Sequence, residues 1–372
     1  YDQGTTEIDS NTKYSGDETT YENYHFLLRN HLQLEQVYLQ LGLSTTEDST
    51  EDNYSKYNGQ NDASNKNSLF TTNREQVTAL AQLPLADSSE VTAGFEWYTE
   101  SIDSNKEYDE TDRNARAFFI TSRHDIEQVK LEASVRYDKV GDIDSETTYQ
   151  VAAGYQVNDQ LLFSLSHGTA FKAPSFNDLY YPWQGNPDLI SETADTSEFL
   201  ARFQNETLSA EISIYQSDID NLIEWAPTAS GAYKPSNVAK AKILGAEATF
   251  TADFYNTNNT LTLSHVDAED KTTDHQLARR PNFSANYNFV YSLKQFDFTF
   301  DVNYQGSRYD GSNDPVKTLE AYTLLDVGVN YRLNSQVSLL AKVTNLTDKD
   351  YQTSSEYPGS ERGYTLTLDY KF

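Results

Sequence analysis

Residues 129–138 read Val129-Lys130-Leu131-Glu132-Ala133-Ser134-Val135-Arg136-Tyr137-Asp138. Side chains of an extended chain alternate between its two faces. Val129, Leu131, Ala133, Val135 and Tyr137 therefore point one way, and Lys130, Glu132, Ser134, Arg136 and Asp138 point the other. A helix would need its apolar residues three and four apart, so this period of two reads as a strand with one apolar and one charged face. The pattern recurs to the end of the chain. Leu325, Val327, Val329 and Tyr331 alternate with Asp326, Gly328, Asn330 and Arg332, and Tyr364, Leu366, Leu368, Tyr370 and Phe372 alternate with Thr365, Thr367, Asp369 and Lys371.

Applied along the whole chain, this template gives roughly seventeen strands. Their spans are near 18–30, 33–47, 68–84, 88–103, 112–125, 126–140, 146–157, 159–169, 193–205, 207–226, 232–254, 258–268, 281–293, 295–308, 321–333, 335–345 and 363–372. Tight turns fall at Asn158-Asp159, Asn205-Glu206, Asn256 to Asn259 and Asn334-Ser335. Between them lie longer polar segments at 48–67, 104–111, 170–192, 269–280, 309–320 and 346–362. Short turns at one rim and long loops at the other is the layout of a transmembrane barrel. In a soluble sandwich the apolar face would pack on a second sheet; strand length, strand number and the alternation of short and long connections favour the barrel.

Composition agrees. Only 37% of the 372 residues are hydrophobic, mean hydropathy is −0.70, and no run approaches the ~20 apolar residues of a membrane helix. An aromatic content of 13%, with 27 Tyr and 18 Phe, separates the chain from disordered sequences of comparable polarity. A barrel wall needs an apolar residue only at every second position, so averaged hydropathy looks soluble while the pattern does not. The absence of Cys removes disulfides and thiolate metal sites. A net charge of −29 makes nucleic acid an unfavourable partner and cations a favourable one. The six His are scattered, and no metalloprotease helix, nucleophile elbow, phosphate loop or dinucleotide fingerprint is present, so nothing points to an enzyme. His265 and His275 flank Asp267, Asp270 and Asp274, a set that reads as a solvated loop more readily than as a metal site.

Several segments resemble one family. The stretch from His167 to Leu189 (HGTAFKAPSFNDLYYPWQGNPDL), Gly245-Ala246-Glu247, Leu277 to Arg280 before Pro281, and the tail Val343 to Thr353 (VTNLTDKDYQT) with Arg362 and Tyr364 are similar to TonB-dependent outer-membrane receptors. The likeness runs through the whole chain, and within the family the tail and spacing are most similar to the cobalamin-transporting branch. It implies an all-β, transmembrane antiparallel barrel of about 22 strands, located in the bacterial cell outer membrane. About seventeen of them would be present, so residues 1–372 are read as an N-terminally truncated barrel domain that opens in a polar loop. The plug and the segment that contacts TonB would lie outside it.

The resemblance also implies a site. Tyr1, Asp2 and Asp9 are similar to a calcium-binding loop, with a shorter spacing between the aspartates than in the pattern. Carboxylates on a mobile loop suit Ca²⁺, which gathers six to eight oxygens. For substrate, the likeness points to Arg279, Tyr357 and Tyr1. Arg donates to amide and phosphate groups of a bulky corrinoid, and Tyr offers a rigid face with a polar tip. The expected function is TonB-dependent active uptake of cobalamin across the lipid bilayer, with no covalent chemistry. The alternatives are a receptor for a ferric siderophore or haem and, from another class, a passive porin or adhesin.

Overall fold

The computed structural model describes residues 2–8, 17–53, 67–228, 231–310, 317–355 and 357–371. They form strands almost throughout. In chain order these are β1 (Asp2–Ile8), β2 (Asp17–Leu34), β3 (Val37–Asn53), β4 (Asn67–Ala86), β5 (Ser89–Ser104), β6 (Asp112–Ile126), β7 (Val129–Val140), β8 (Glu146–Asn158) and β9 (Leu161–Lys172). A short helix, α1 (Phe176–Tyr180), follows. Then come β10 (Glu192–Gln204), β11 (Leu208–Pro227), β12 (Tyr233–Phe254), β13 (Thr257–Asp270), β14 (His275–Gln276), β15 (Phe283–Leu293), β16 (Phe296–Gln305), β17 (Arg308–Asp310) and β18 (Lys317–Leu319). The last are β19 (Tyr322–Arg332), β20 (Val337–Thr344), β21 (Gln352–Ser354), β22 (Tyr357–Pro358) and β23 (Gly363–Tyr370). Nineteen strands belong to one sheet.

Seventeen strands among the described residues run eight residues or longer, and they coincide with the seventeen expected from alternation. Four features differ. Residues 2–8 are not loop but strand β1, paired antiparallel with β2 from Asp2↔Asn23 to Ile8↔Asp17. The first hairpin turns at Glu35-Gln36 rather than near residue 31, and β2 continues to Leu34. The segment 170–192 contains α1, whose capping box joins Ser175 and Asp178. Short hairpins β17–β18 and β21–β22 stand inside expected loops.

The chain forms two compact units: Tyr1–Ala153, Ser166–Thr196 and Asp218–Ala241 in the first, and Gly154–Leu165, Ser197–Ser217 and Lys242–Phe372 in the second. In the first, β1 to β7 pair consecutively and antiparallel. One face is apolar: Ala93, Phe95, Phe118, Ile120, Val135 and Tyr137 stand opposite one another in successive strands. The other carries an ion-pair ladder. Arg113 donates to Glu100 at 2.8 Å, Arg136 to Glu96 at 2.7 Å and to Asp138 at 2.9 Å, and Arg123 to Glu132 at 2.7 Å.

The second unit repeats this design over β13, β15, β16, β19, β20 and β23. Asn286 bonds Asn303 at 2.6 Å and Asn288 bonds Asp301 at 2.5 Å on the polar face. On the apolar face Phe296 stacks on Tyr331 at 4.7 Å, beside Phe298 and Tyr291. This aromatic group sits at the short-turn end of its strands, as interface girdles do in membrane barrels.

The short turns show why the chain reverses there. Asn158 Oδ1 accepts from the N–H groups of Gln160 and Leu161, Asn205 Oδ1 from those of Thr207 and Leu208, and Asn334 Oδ1 from those of Gln336 and Val337, at 2.8–3.0 Å. This is the side-chain mimic of a backbone turn that favours Asn. Other hairpins place Glu35, Glu127, Tyr255 and Lys294 at positive φ, between 49° and 56°. Two-residue turns need that conformation to match strand twist.

Candidate functional site

Of the residues that the sequence singled out, Arg279 and Tyr357 lie in the long connections of the second unit. In the second unit, three long connections meet on one carboxylate. Asp310, at the end of β17, accepts from Arg279 Nε at 2.5 Å and from Ser354 Oγ at 3.3 Å, and it also accepts from the Ser355 backbone N–H. Its side chain is 5% exposed, whereas that of Arg279 is 62% exposed. Burial pushes the Asp310 carboxyl up, but the Arg279 guanidinium and the Ser355 N–H outweigh burial and hold it below the usual carboxylate value.

Arg279 has φ +61°, and its own N–H donates to the Tyr309 carbonyl at 2.6 Å. The loop is thus pinned at backbone and side chain together. Arg308 adds a second brace. It is buried, and its Nη2 donates to the Gln352 and Thr353 carbonyls at 2.9 and 3.0 Å. Lys317 reaches Ser355 Oγ at 3.0 Å. Tyr357 lies on β22, paired with Ser354, and is 44% exposed. Arg279 and Tyr357 therefore belong to one bonded cluster, with Tyr357 open to solvent. A cavity of about 480 Å³ adjoins it, lined by Tyr322, Tyr351, Lys349, Asp350, Gly359 and Glu361.

Sequence reasoning missed Asp310 and Arg308, the two residues that organise this cluster. The signal is the charge alternation Arg308-Tyr309-Asp310, which the strand template divides between the end of a strand and the start of a loop.

The tail motif is structural. Asn345 is buried, with Nδ2 donating to the Lys349 and Ser360 carbonyls at 3.1 Å and Oδ1 accepting from the Lys349 N–H at 2.8 Å. Asp348 pairs with Arg362 at 3.4 Å. Gly245 also has a packing role, since a Cβ there would run into the Tyr215 ring. Asp270 serves its own turn, accepting from Thr272 N–H at 2.7 Å and Thr273 Oγ1 at 2.8 Å.

Of the expected calcium ligands, Tyr1 and Asp9 lie outside the described residues. Asp2 is exposed on β1, opposite Asn23. Among the described residues no group of His, Asp and Glu is arranged to hold a metal ion.

The first unit has its own loop cluster. Tyr108 OH donates to Asn177 Oδ1 at 2.6 Å, Lys106 Nζ to Tyr181 OH at 2.8 Å, and Trp225 Nε1 to Asp178 Oδ1 at 2.8 Å. Tyr181 meets Tyr108 and Trp225 edge-on at 6.1 and 6.0 Å. Burial, helped by Tyr181, pushes the Tyr108 hydroxyl up to about 12, so it stays a donor at neutral pH. Asn186 of the Gly-Asn-Pro motif donates to the Pro235 carbonyl at 2.9 Å and anchors this segment to β12.

An antiparallel sheet that is apolar on one face and charged on the other, with aromatic and cationic clusters in its long loops, defines an outer-membrane β-barrel of the receptor class. A family model described as "TonB dependent receptor-like, beta-barrel" matches residues 1–346. The chain belongs to the TonB-dependent receptors, which are transport receptors of the bacterial outer membrane and not enzymes.

The vitamin B12 transporter BtuB of Photobacterium profundum is 36% identical over 293 residues, covering 77% of this chain and 48% of the transporter. That of Vibrio vulnificus is 33% identical over 317 residues, covering 82% and 51%. The chain thus spans about half the length of the curated relatives it matches. Among solved structures, the siderophore receptor PirA from Acinetobacter baumannii has a TM-score of 0.78 at 18% identity, covering 96% of this chain and 63% of that one. At that identity the likeness establishes the fold.

Proposed function

We propose that the protein carrying this chain takes up cobalamin or a related corrinoid by TonB-dependent active transport. The observation that carries this reading is the identity of 36% and 33%, over most of the chain, with proteins described as vitamin B12 transporters. The Arg279 cluster supports it. Arg279 presents an exposed guanidinium whose resting partner, Asp310, is a carboxylate on a neighbouring loop. An amide or phosphate oxygen of the ligand competes for those donors, and Tyr357 supplies an open aromatic face beside them. Tyr1, Asp2 and Asp9 bind Ca²⁺ in the intact protein and order the loop that carries Tyr1. Coupling to TonB runs through a plug domain of the intact protein.

The test is equilibrium binding of cobalamin to the intact protein, with and without millimolar Ca²⁺. Tight binding that weakens on chelation is the expected result. Arg279→Ala should weaken it by about 1.5–3 kcal/mol, the range for hydrogen bonds from a charged donor. Binding of a ferric chelate in place of cobalamin would move the substrate to the siderophores and leave the family unchanged.

A further inference from the structure

A ligand that binds Arg279 leaves a charge behind. At rest Asp310 accepts from Arg279 Nε at 2.5 Å, and its side chain is only 5% exposed. Once the guanidinium turns to a ligand, the carboxylate stays inside the loop cluster with two neutral donors, Ser354 Oγ and the Ser355 N–H. A buried ion that loses its counter-ion costs more than a few hydrogen bonds to a ligand return. Capture is favourable only if a second cation replaces the first. The loop itself need not leave, because the Arg279 backbone N–H stays on the Tyr309 carbonyl at 2.6 Å.

Arg308 meets that need. It is buried, and its Nη1 has no hydrogen-bond partner. Its contacts among the described residues are neutral: Nη2 bonds the Gln352 and Thr353 carbonyls, and the Tyr322 ring lies 5.6 Å from Cζ. Arg308 and Asp310 are two apart on β17, so they share a face of that strand. Both grip the same segment, Arg308 at Gln352 and Thr353, Asp310 at Ser354 and Ser355. An orphaned cationic donor and a carboxylate about to be stranded thus stand on one face, over the same four residues. The other described cation at hand is Lys317, opposite Asp310 on β18. It is exposed and donates to Ser355 Oγ at 3.0 Å. A strongly hydrated ammonium suits a buried carboxylate less well than a guanidinium does.

We infer that Arg308 is a positioning residue for ligand capture: as the ligand draws Arg279 away, Asp310 passes to Arg308 Nη1. The handover keeps the buried carboxylate paired. It also holds residues 352–355 in place while Arg279 changes partner. It rests on the proposed role of Arg279 as the ligand's donor.

The handover can be read without a ligand, because R279A removes the same guanidinium. The measurement is amide hydrogen exchange of residues 352–355 in the intact protein in detergent at pH 7. R279A alone should speed exchange about fivefold and R308Q alone about tenfold, the scale of one or two hydrogen bonds. R279A/R308Q strands Asp310 and should exceed the product of the two by about a hundredfold. That excess should vanish when D310N is added, since no charge is then stranded. R279A/R308K keeps a cation and should stay near R279A, which also serves if the glutamine double variant does not fold. A double variant that equals the product overturns the proposal. So does an excess that survives D310N, R279A/R308K as fast as R279A/R308Q, or the same excess in R279A/K317Q, which would make Lys317 the recipient. Cyanocobalamin is the second arm. R308Q should weaken its binding about tenfold in the wild type and not at all on D310N, and equal weakening in both would mean that Arg308 only braces the loop. Absence of cobalamin binding to the wild type would remove the corrinoid reading and leave the exchange result to decide the handover.

Discussion

At the scale of single residues, Asp310 shows how one buried carboxylate holds three loops. Arg279, Ser354 and Ser355 all donate to it. Asp310→Asn should loosen the β13–β15 and β20–β23 connections together, at a cost of about 1.5–3 kcal/mol for charge-assisted bonds, read as faster amide exchange in both. The pH dependence has a definite sign. The folded-state carboxyl is held below its unfolded value, so its contribution is complete above the unfolded pKa, roughly 3.9, and is lost as pH falls through the lower folded value. Amide exchange in these loops should therefore show no opening transition between neutral pH and about 5. An opening near pH 6 would contradict this arrangement. Gly245 is equally specific: Gly245→Val would drive a side chain into the Tyr215 ring and should destabilise by about 1–3 kcal/mol, measured by urea unfolding in detergent.

At the scale of elements, the hairpin is the unit. Asn205 and Asn334 each accept two backbone N–H groups in their turns. Asn205→Ala or Asn334→Ala should cost about 1 kcal/mol. The face of a strand sets a larger contrast. Val329 lies opposite Phe298 and Ala341 on the apolar face, while Asn330 lies opposite Asp297 and Leu340 on the other. Val329→Arg should destabilise by ~2–4 kcal/mol near the bilayer midplane, and Asn330→Arg far less. Equal penalties in a lipid unfolding assay would mean that the register of β19 is wrong.

For the whole molecule, the apolar faces of both units are large and open: Leu366 on β23 is 71% exposed, and Leu28 and Leu41 exceed half. Surface of this kind requires lipid or detergent around it. The protein should leave membranes only with detergent, and release by salt or alkali alone would contradict the barrel reading.

The sequence by itself determined the strands, their two faces and the family. Alternation is a local property of the extended chain, and a membrane wall imposes it on every strand, so the seventeen long strands were legible one at a time. Turns made by Asn were legible for the same reason, because the side chain bonds its own backbone. The turns at Glu35 and Lys294 were less so, because positive φ there is imposed by the pairing of the flanking strands and not by the residue. Strand β1 was hidden because its sequence is polar on both faces and is held by its partner β2. Arg279 and Tyr357 were legible only through resemblance, and what they do at rest was not. That Arg279 is held by Asp310 and that Arg308 braces the last loop were decided by tertiary structure. Each depends on residues far apart in sequence that only strand pairing brings together.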